Sequence, residues 1–173
     1  IDMLGGLMGC LADKSGLQFK VLNKSKGRAV WSPRAQIDKR QYESFVTSVV
    51  LHNKNIDVLL GEAVELLVDN YTVSGVALRD GSSVFGKMVV LTCGTFLSGL
   101  IHVGKRKILA GRMGEERSAG ITESLESLGF KTGRLKTGTP PRLNKSSVDW
   151  SKTNIALGDE FPVPFSYQTR DFN

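Results

Sequence analysis

The stretch KMVVLTCGT, residues 87–95, decides the fold class of this chain. It starts with a lysine, becomes apolar and β-branched, and ends on Cys93-Gly94-Thr95. A short apolar run of this kind is typical of a strand that is buried on both faces of a parallel sheet. Ligands of open α/β sheets bind beyond the carboxyl ends of the strands, where a glycine lets the backbone approach a phosphate. The stretch therefore predicts an α/β domain with a ligand site near Thr92 and Gly94.

Other strands are predicted upstream of this stretch. Residues 63–68 and 73–78 alternate as strands do, and the turn Asp69-Asn70-Tyr71 joins them into a hairpin. The dipeptide Asp80-Gly81 predicts a further turn. Shorter strands are expected at residues 56–60 and 18–22.

Three helices are predicted from apolar spacing and end signals. The first covers residues 3–16. The second begins at Ser32-Pro33, with serine as the N-cap and proline at the first helical position, and runs to about Leu51. The third begins at an N-cap Ser118 and ends at Gly129, with an apolar stripe formed by Ile121, Leu125 and Leu128.

The run GRLKTGTPPR, residues 133–142, is a loop that suits a phosphate-rich ligand. Its prolines lack N–H donors and its glycines allow positive φ, so it cannot be a packed helix or strand. Threonine hydroxyls and free backbone amides between cations are groups that bind phosphate. A solvated basic loop is the alternative interpretation.

Positive charge is concentrated around this loop. The net charge of the 173 residues is +6, and the segment 102–145 holds ten Lys and Arg against four Glu, which accounts for the whole excess. A localised basic segment favours a dinucleotide or a nucleic acid as partner. The alternative is a basic face that serves solubility.

Several function classes receive no support. Cys10 and Cys93 lie far apart in apolar runs and, like the isolated His52 and His102, form no metal-ligand spacing. We expect both cysteines to be buried small hydrophobes. The sequence contains no apolar run of membrane-spanning length, so the cytoplasm is the expected location.

Seven segments, in order along the chain, resemble one protein family: 4–8, 22–27, 34–36, 90–97, 101–104, 111–112 and 133–142. The chain is similar to the central part of the N-terminal half of the MnmG family, also called GidA. Members of this family are FAD-dependent tRNA uridine-5-carboxymethylaminomethyl modification enzymes. The resemblance covers essentially all 173 residues, and the run at 133–142 is its most specific part.

The resemblance implies the fold and the partners. We expect part of a glutathione-reductase-like, Rossmann-type FAD-binding domain that leads into an inserted α+β domain. Residues 1–100 would belong to the FAD domain, and residues 101–173 would return to it and enter the inserted domain. The implied reaction uses FAD, NADH and methylene-tetrahydrofolate on the wobble uridine of tRNA. The implied partner is an MnmE-type GTPase, with a homodimer inside a heterotetramer.

The resemblance also carries over two FAD contacts, Val64 and Ser118. Val64 matches the family residue that comes after the strand reaching the adenosine end of FAD and would contact the cofactor through its backbone, and its alternative is a core valine in a hairpin. For Ser118, the predicted N-cap position at a helix start is a second reason to expect an FAD contact, and the alternative is an ordinary capping serine. Thr92 and Gly94 are added as further cofactor contacts at the strand end.

No catalytic residue is expected in these 173 residues. The resemblance implies that the family's glycine fingerprint and its two reactive cysteines lie outside them, so the chain alone is expected to be inactive. The chain departs from the family at Arg28, in place of proline, and at Glu116-Arg117, in place of a proline pair. Two other hypotheses stay open: another FAD-dependent oxidoreductase, which would not carry the run at 133–142, and a stand-alone RNA-binding remnant without catalysis.

Overall fold

The computed structural model describes residues 1–138, 140–170 and 172. The chain divides into two compact units, one formed by Ile1–Val58 with Pro141–Asn173 and the other by Leu59–Pro140. Each unit is described below by itself. The expected boundary between a FAD domain and an inserted domain near residue 100 stays a prediction.

The first unit contains two helices and a two-stranded sheet. Helix α1 spans Leu7–Lys14, strand β1 spans Gly16–Leu22, strand β2 spans Ser32–Ile37 and helix α2 spans Lys39–Leu51. Strands β1 and β2 are antiparallel. The structure confirms the predicted first helix, in a shorter form, and the predicted strand at residues 18–22.

The predicted helix start at Ser32-Pro33 is wrong. Ser32 pairs with Leu22 and Pro33 with Val21 in the antiparallel ladder, so this segment is a strand. A two-stranded sheet tolerates a proline because both strands are edges. Helix α2 begins six residues later, where the Asp38 carboxylate accepts hydrogen bonds from the backbone N–H groups of Arg40 and Gln41 at 2.9 and 3.0 Å.

An aspartate in α1 binds the far end of the sequence to this unit. The Asp13 carboxylate accepts hydrogen bonds from the backbone N–H groups of Phe165 and Ser166, at 2.8 and 3.0 Å. The Thr169 hydroxyl donates to the same carboxylate at 2.5 Å. One carboxylate therefore satisfies three donors of a segment that has no helix or strand of its own.

The second unit is built on an antiparallel sheet of three strands. Its elements are β3 (Ala63–Asp69), β4 (Thr72–Leu78), β5 (Ser83–Phe85), β6 (Ile101–Val103), β7 (Arg106–Ile108) and α3 (Ile121–Ser127). Strand β4 lies between β3 and β5, and β6 pairs with β7 in a separate hairpin. The predicted hairpin at 63–78 is confirmed, and positive φ angles at Asn70 and Tyr71 (46° and 63°) fit a tight two-residue turn. The turn at Asp80-Gly81 is also confirmed, because it joins β4 to β5.

Two predicted strands are wrong. Neither residues 56–60 nor residues 87–92 form a strand, and Met88 and Val90 are 85% and 82% exposed. Apolar composition indicates burial, but a strand also needs a neighbour that offers N–H and C=O groups. No other described residue forms a ladder with either segment. The chain is mixed α/β as expected, while its described ladders are all antiparallel.

Candidate functional site

Helix α3 packs against strand β3 through a buried serine. The Ser124 hydroxyl accepts a hydrogen bond from the backbone N–H of Leu66 at 3.0 Å. Ser124 is 9% exposed, and Ile121 on the same helix is 3% exposed. A hydrogen bond in a half-buried setting together with an apolar contact fixes the helix on the strand.

The start of α3 lies directly on the backbone of Val64. Gly120 precedes the helix with φ +113°, and a Cβ atom at this position would lie 2.4 Å from the Val64 carbonyl oxygen. Every residue except glycine would clash there and would also be strained. The sequence gives no sign of this contact, since the two residues are far apart along the chain.

Ser118 pairs through its backbone with the segment that follows the Cys93-Gly94-Thr95 turn. Its N–H donates to the Phe96 carbonyl at 3.1 Å, and its carbonyl accepts from the Ser98 N–H at 2.7 Å. These bonds make a single parallel bridge between Leu97 and Ser118. Ser118 is therefore part of a short pairing and not a helix cap, which corrects the prediction.

The cap of α3 is formed instead by Gly120 and Glu123. The Glu123 carboxylate accepts a hydrogen bond from the Gly120 N–H at 2.9 Å. Hydrogen bonds from the backbone N–H groups of Glu123 and Gly120 lower the pKa of this carboxyl. The helix spans Ile121–Ser127, so it is shorter than predicted at both ends.

An ion pair holds the segment between Ser118 and Gly120 from the side of the sheet. The Arg79 guanidinium donates to the two oxygens of Glu62 at 2.5 and 2.8 Å, and also to the Ala119 carbonyl at 3.2 Å. The hydrogen bond from Arg79 lowers the pKa of Glu62, and the same bond raises the pKa of Arg79. Two parallel N–H donors matched to one carboxylate give this exposed pair a defined geometry.

The structure thus brings two of the four predicted site residues together. Gly120 contacts Val64, and Ser118, two residues before Gly120, pairs with residues 96–98, so both predicted residues belong to the junction of β3, α3 and residues 96–98. We call this set of contacts the β3–α3 junction. Both residues are half-buried.

Thr92 and Gly94 are placed differently. Both are exposed. Gly94 has φ +60°, and no atom outside its immediate neighbours lies within 4 Å of where its Cβ would be. It stands two residues before Phe96, whose carbonyl is bonded to Ser118. The space beside Gly94 would let a ligand approach the backbone closely.

The basic loop is attached to the same junction. Its described residues, 133–138 and 140–142, form no helix or strand and are exposed, as the sequence predicts, and Thr139 lies outside the described residues. The Arg134 guanidinium donates to the Ser98 carbonyl at 2.9 Å. Arg134 is therefore an anchor of the loop, a role that sequence reasoning missed because both of its interpretations, a phosphate ligand or solvent, left the cations without a partner inside the chain.

Other classes of site find no support in the part of the chain that the structure describes. No group of three or more His, Cys, Asp or Glu side chains is placed to hold a metal ion there. Cys10 and Cys93 are free and half-buried, so they are less buried than predicted. The Cys10 sulfur lies 3.0 Å from the Ser166 hydroxyl. Within the same residues, no helix has the length and apolar character needed to cross a membrane.

A family model described as "Glucose inhibited division protein A" (GIDA) matches residues 1–173. The chain belongs to the GidA family. The relatives in Bdellovibrio bacteriovorus and Thermodesulfovibrio yellowstonii are named tRNA uridine 5-carboxymethylaminomethyl modification enzyme MnmG. They are 46% and 44% identical over 99% and 100% of this chain.

A solved structure of GidA from Aquifex aeolicus has the same fold. It aligns with 98% of this GidA-family chain at 44% identity and a TM-score of 0.87. The resemblance seen in the sequence and the expected mixed α/β fold class are confirmed. The chain spans 27% and 28% of the lengths of the two named relatives and 28% of the solved Aquifex chain.

Proposed function

We propose that this chain is part of an MnmG-type enzyme, which modifies the wobble uridine of tRNA at C5. The observation that carries the proposal is identity of 44% or more to proteins named for that modification, over nearly the whole chain. The finer features of the proposal come from the family: FAD as cofactor, NADH as reductant, methylene-tetrahydrofolate as carbon source and the cytoplasm as location.

The role proposed for these residues is to hold FAD. When bound, FAD supplies the redox chemistry of the reaction. The residues present fit such a group, because Gly94 leaves open space beside its backbone and Thr92 offers an exposed hydroxyl. Val64 and Ser118 would contact the cofactor from the β3–α3 junction, which keeps their backbones in one fixed arrangement. Fixed backbone groups bind a ligand without an added ordering cost.

No group in this chain is proposed to transfer a proton or to form a covalent bond with substrate. Neither free cysteine lies with a His, Asp or Glu cluster in the described residues. The reactive cysteines of the family are proposed to lie elsewhere in the longer protein. The GTPase partner and the homodimer inside a heterotetramer are likewise proposed for that longer protein.

The test is complementation of a bacterial strain that lacks its own MnmG. The gene for the full protein that carries this sequence is expressed in that strain, and tRNA nucleosides are measured by mass spectrometry. Return of the carboxymethylaminomethyl-type wobble uridine is the expected result. Unmodified uridine, from a strain that accumulates the soluble flavinated protein, would contradict the proposal.

The stand-alone RNA-binding remnant predicts a different pattern. It requires salt-dependent tRNA binding without flavin and without modification. The complemented strain therefore distinguishes the two functions. A remnant would bind tRNA in an extract of that strain, but the wobble uridine would stay unmodified. The match to relatives named for tRNA modification favours the enzyme over an unrelated FAD oxidoreductase.

A further inference from the structure

The hairpin formed by β6 and β7 presents three consecutive cations at its tip. Lys105, Arg106 and Lys107 are all exposed. The two residues Gly104 and Lys105 form the turn, and φ is positive at Gly104 (58°). A two-residue turn with glycine first matches the twist of the two strands, so the tip is a defined structure and not a slack loop.

Nothing within the hairpin neutralises these charges. Arg106 pairs across the ladder with Val103, and Lys107 pairs with His102. Directly opposed positions are where a structural ion pair would be placed in an antiparallel ladder, and neither partner is an acid. Neither strand of the hairpin therefore supplies a carboxylate to these cations.

Four cations elsewhere in the described chain do form ion pairs. Arg79 is paired with Glu62, Lys24 with Asp159 and Lys152 with Asp149. Arg112, which follows the hairpin, pairs with Glu115. No ion pair involves the three hairpin cations among residues 1–138, 140–170 and 172. A surface designed only for solubility intersperses both signs, and this tip does not.

We propose that the β6–β7 hairpin binds the phosphate backbone of the tRNA substrate. The choice of tRNA as the ligand rests on the proposed function, and the choice of this hairpin as the binding surface rests on its charge. Lys105 stands in the turn, and Arg106 and Lys107 are successive residues of β7 whose side chains leave opposite faces of the hairpin, so the three cations can contact separate phosphates. Contacts of this kind position an RNA without reading its sequence.

The hairpin start is also close to the second basic element of this unit. Arg134 of the loop at 133–142 is bonded to the Ser98 carbonyl, three residues before β6 begins. The two basic elements therefore extend from one anchored segment. This arrangement enlarges the cationic surface on which an RNA backbone can lie.

The test compares tRNA binding by the full flavinated protein and three variants, with a tRNA transcript and a salt series from about 50 to 200 mM. The test variant is K105A/R106A/K107A. The charge-matched control is K39A/R40A/K54A, which removes three exposed cations from the other unit. The charge-conserving control is K105R/R106K/K107R. Flavin content and thermal unfolding of each variant report whether the fold is retained.

The test variant should bind tRNA about 10- to 100-fold more weakly at low salt, with a salt slope smaller by about 2 to 3. Both controls should keep the slope of the unchanged protein. A test variant with an unchanged slope, or an equal loss in the charge-matched control, would overturn the proposal.

Failure of the proposed function is visible separately. If the unchanged protein modifies tRNA and the hairpin variant binds tRNA with the same affinity and salt slope, the hairpin proposal alone is wrong. If the unchanged protein neither binds nor modifies tRNA, both are wrong.

Discussion

Gly120 lies so close to Val64 that a methyl group at position 120 would be 2.4 Å from the Val64 carbonyl oxygen. This contact places the start of helix α3 on the backbone of strand β3. Ser118 stands two residues before Gly120, so the contact links Val64 to the segment that carries Ser118, and these are the two residues that the family resemblance marks for FAD. The β3–α3 junction therefore depends on a residue without a side chain.

Gly120→Ala should disrupt the junction. The substitution adds a backbone clash to a strained φ of +113°, so we expect a loss of stability of several kcal/mol and loss of bound FAD from the full protein. Gly114→Ala is the matched control, because it has φ +82° with no atom within 4 Å of the added Cβ. The control should cost only about 1–2 kcal/mol. Equal effects of the two variants on unfolding and flavin content would contradict the role of the close contact.

Ser124→Ala should loosen helix α3 from the sheet. The variant leaves the Leu66 N–H without its acceptor, at an expected cost of about 1–3 kcal/mol in the free energy of unfolding. Ser127→Ala is the control, because its hydroxyl bonds only to the Ser124 carbonyl in its own helix. Chemical denaturation measures both. Similar costs for the two serines would show that the bond to Leu66 contributes little.

Glu62→Gln should lower stability in a pH-dependent way. Arg79 lowers the pKa of Glu62 in the folded state, so the carboxylate stabilises the fold above its unfolded pKa of about 4.3. This contribution is lost as the pH falls through the lower folded pKa. The difference in the free energy of unfolding between the unchanged protein and Glu62→Gln should be small, as for exposed ion pairs. It should be largest at neutral pH and absent in acid.

A parallel Glu65→Gln variant controls for the loss of one negative charge. Glu65 is exposed on β3, three residues after Glu62, and forms no ion pair with any described residue. Its denaturation curve should follow that of the unchanged protein at every pH. A Glu62→Gln difference that persists below about pH 3 would contradict an origin in the carboxylate charge.

Two cations of the basic loop should behave differently. Arg134→Ala removes the hydrogen bond to Ser98, so we expect both weaker tRNA binding and greater proteolysis of the loop. Lys136→Ala removes an exposed charge and should weaken tRNA binding alone, with a salt slope smaller by about 1. Unchanged affinity of Lys136→Ala at low salt would contradict phosphate binding by this loop.

The sequence predicted local structure well where the signal was local. The hairpin of β3 and β4 was foreseen because its alternation and its Asp69-Asn70-Tyr71 turn are adjacent in the chain. The start of α2 was misplaced because Ser32-Pro33 satisfies the rules for a cap while the ladder with β1 satisfies more backbone groups. Residues 87–92 were read as a buried strand from composition, which carries no information about a pairing partner.

The candidate site was only partly predictable for the same reason. Val64 and Ser118 were named from the family resemblance. The contacts that join them come from Gly120, Arg79 and residues 96–98, which are distant in sequence. A glycine before a helix suggests a turn, but not the strand that the turn touches. Long-range contacts of this kind become visible only in the structure.

The most direct test of the central claim is a structure of the full protein with FAD bound. We predict that the backbone of Val64 and either the backbone or the hydroxyl of Ser118 lie within about 3.5 Å of FAD atoms. FAD bound elsewhere, with the β3–α3 junction free of the cofactor, would contradict the proposed role of this chain.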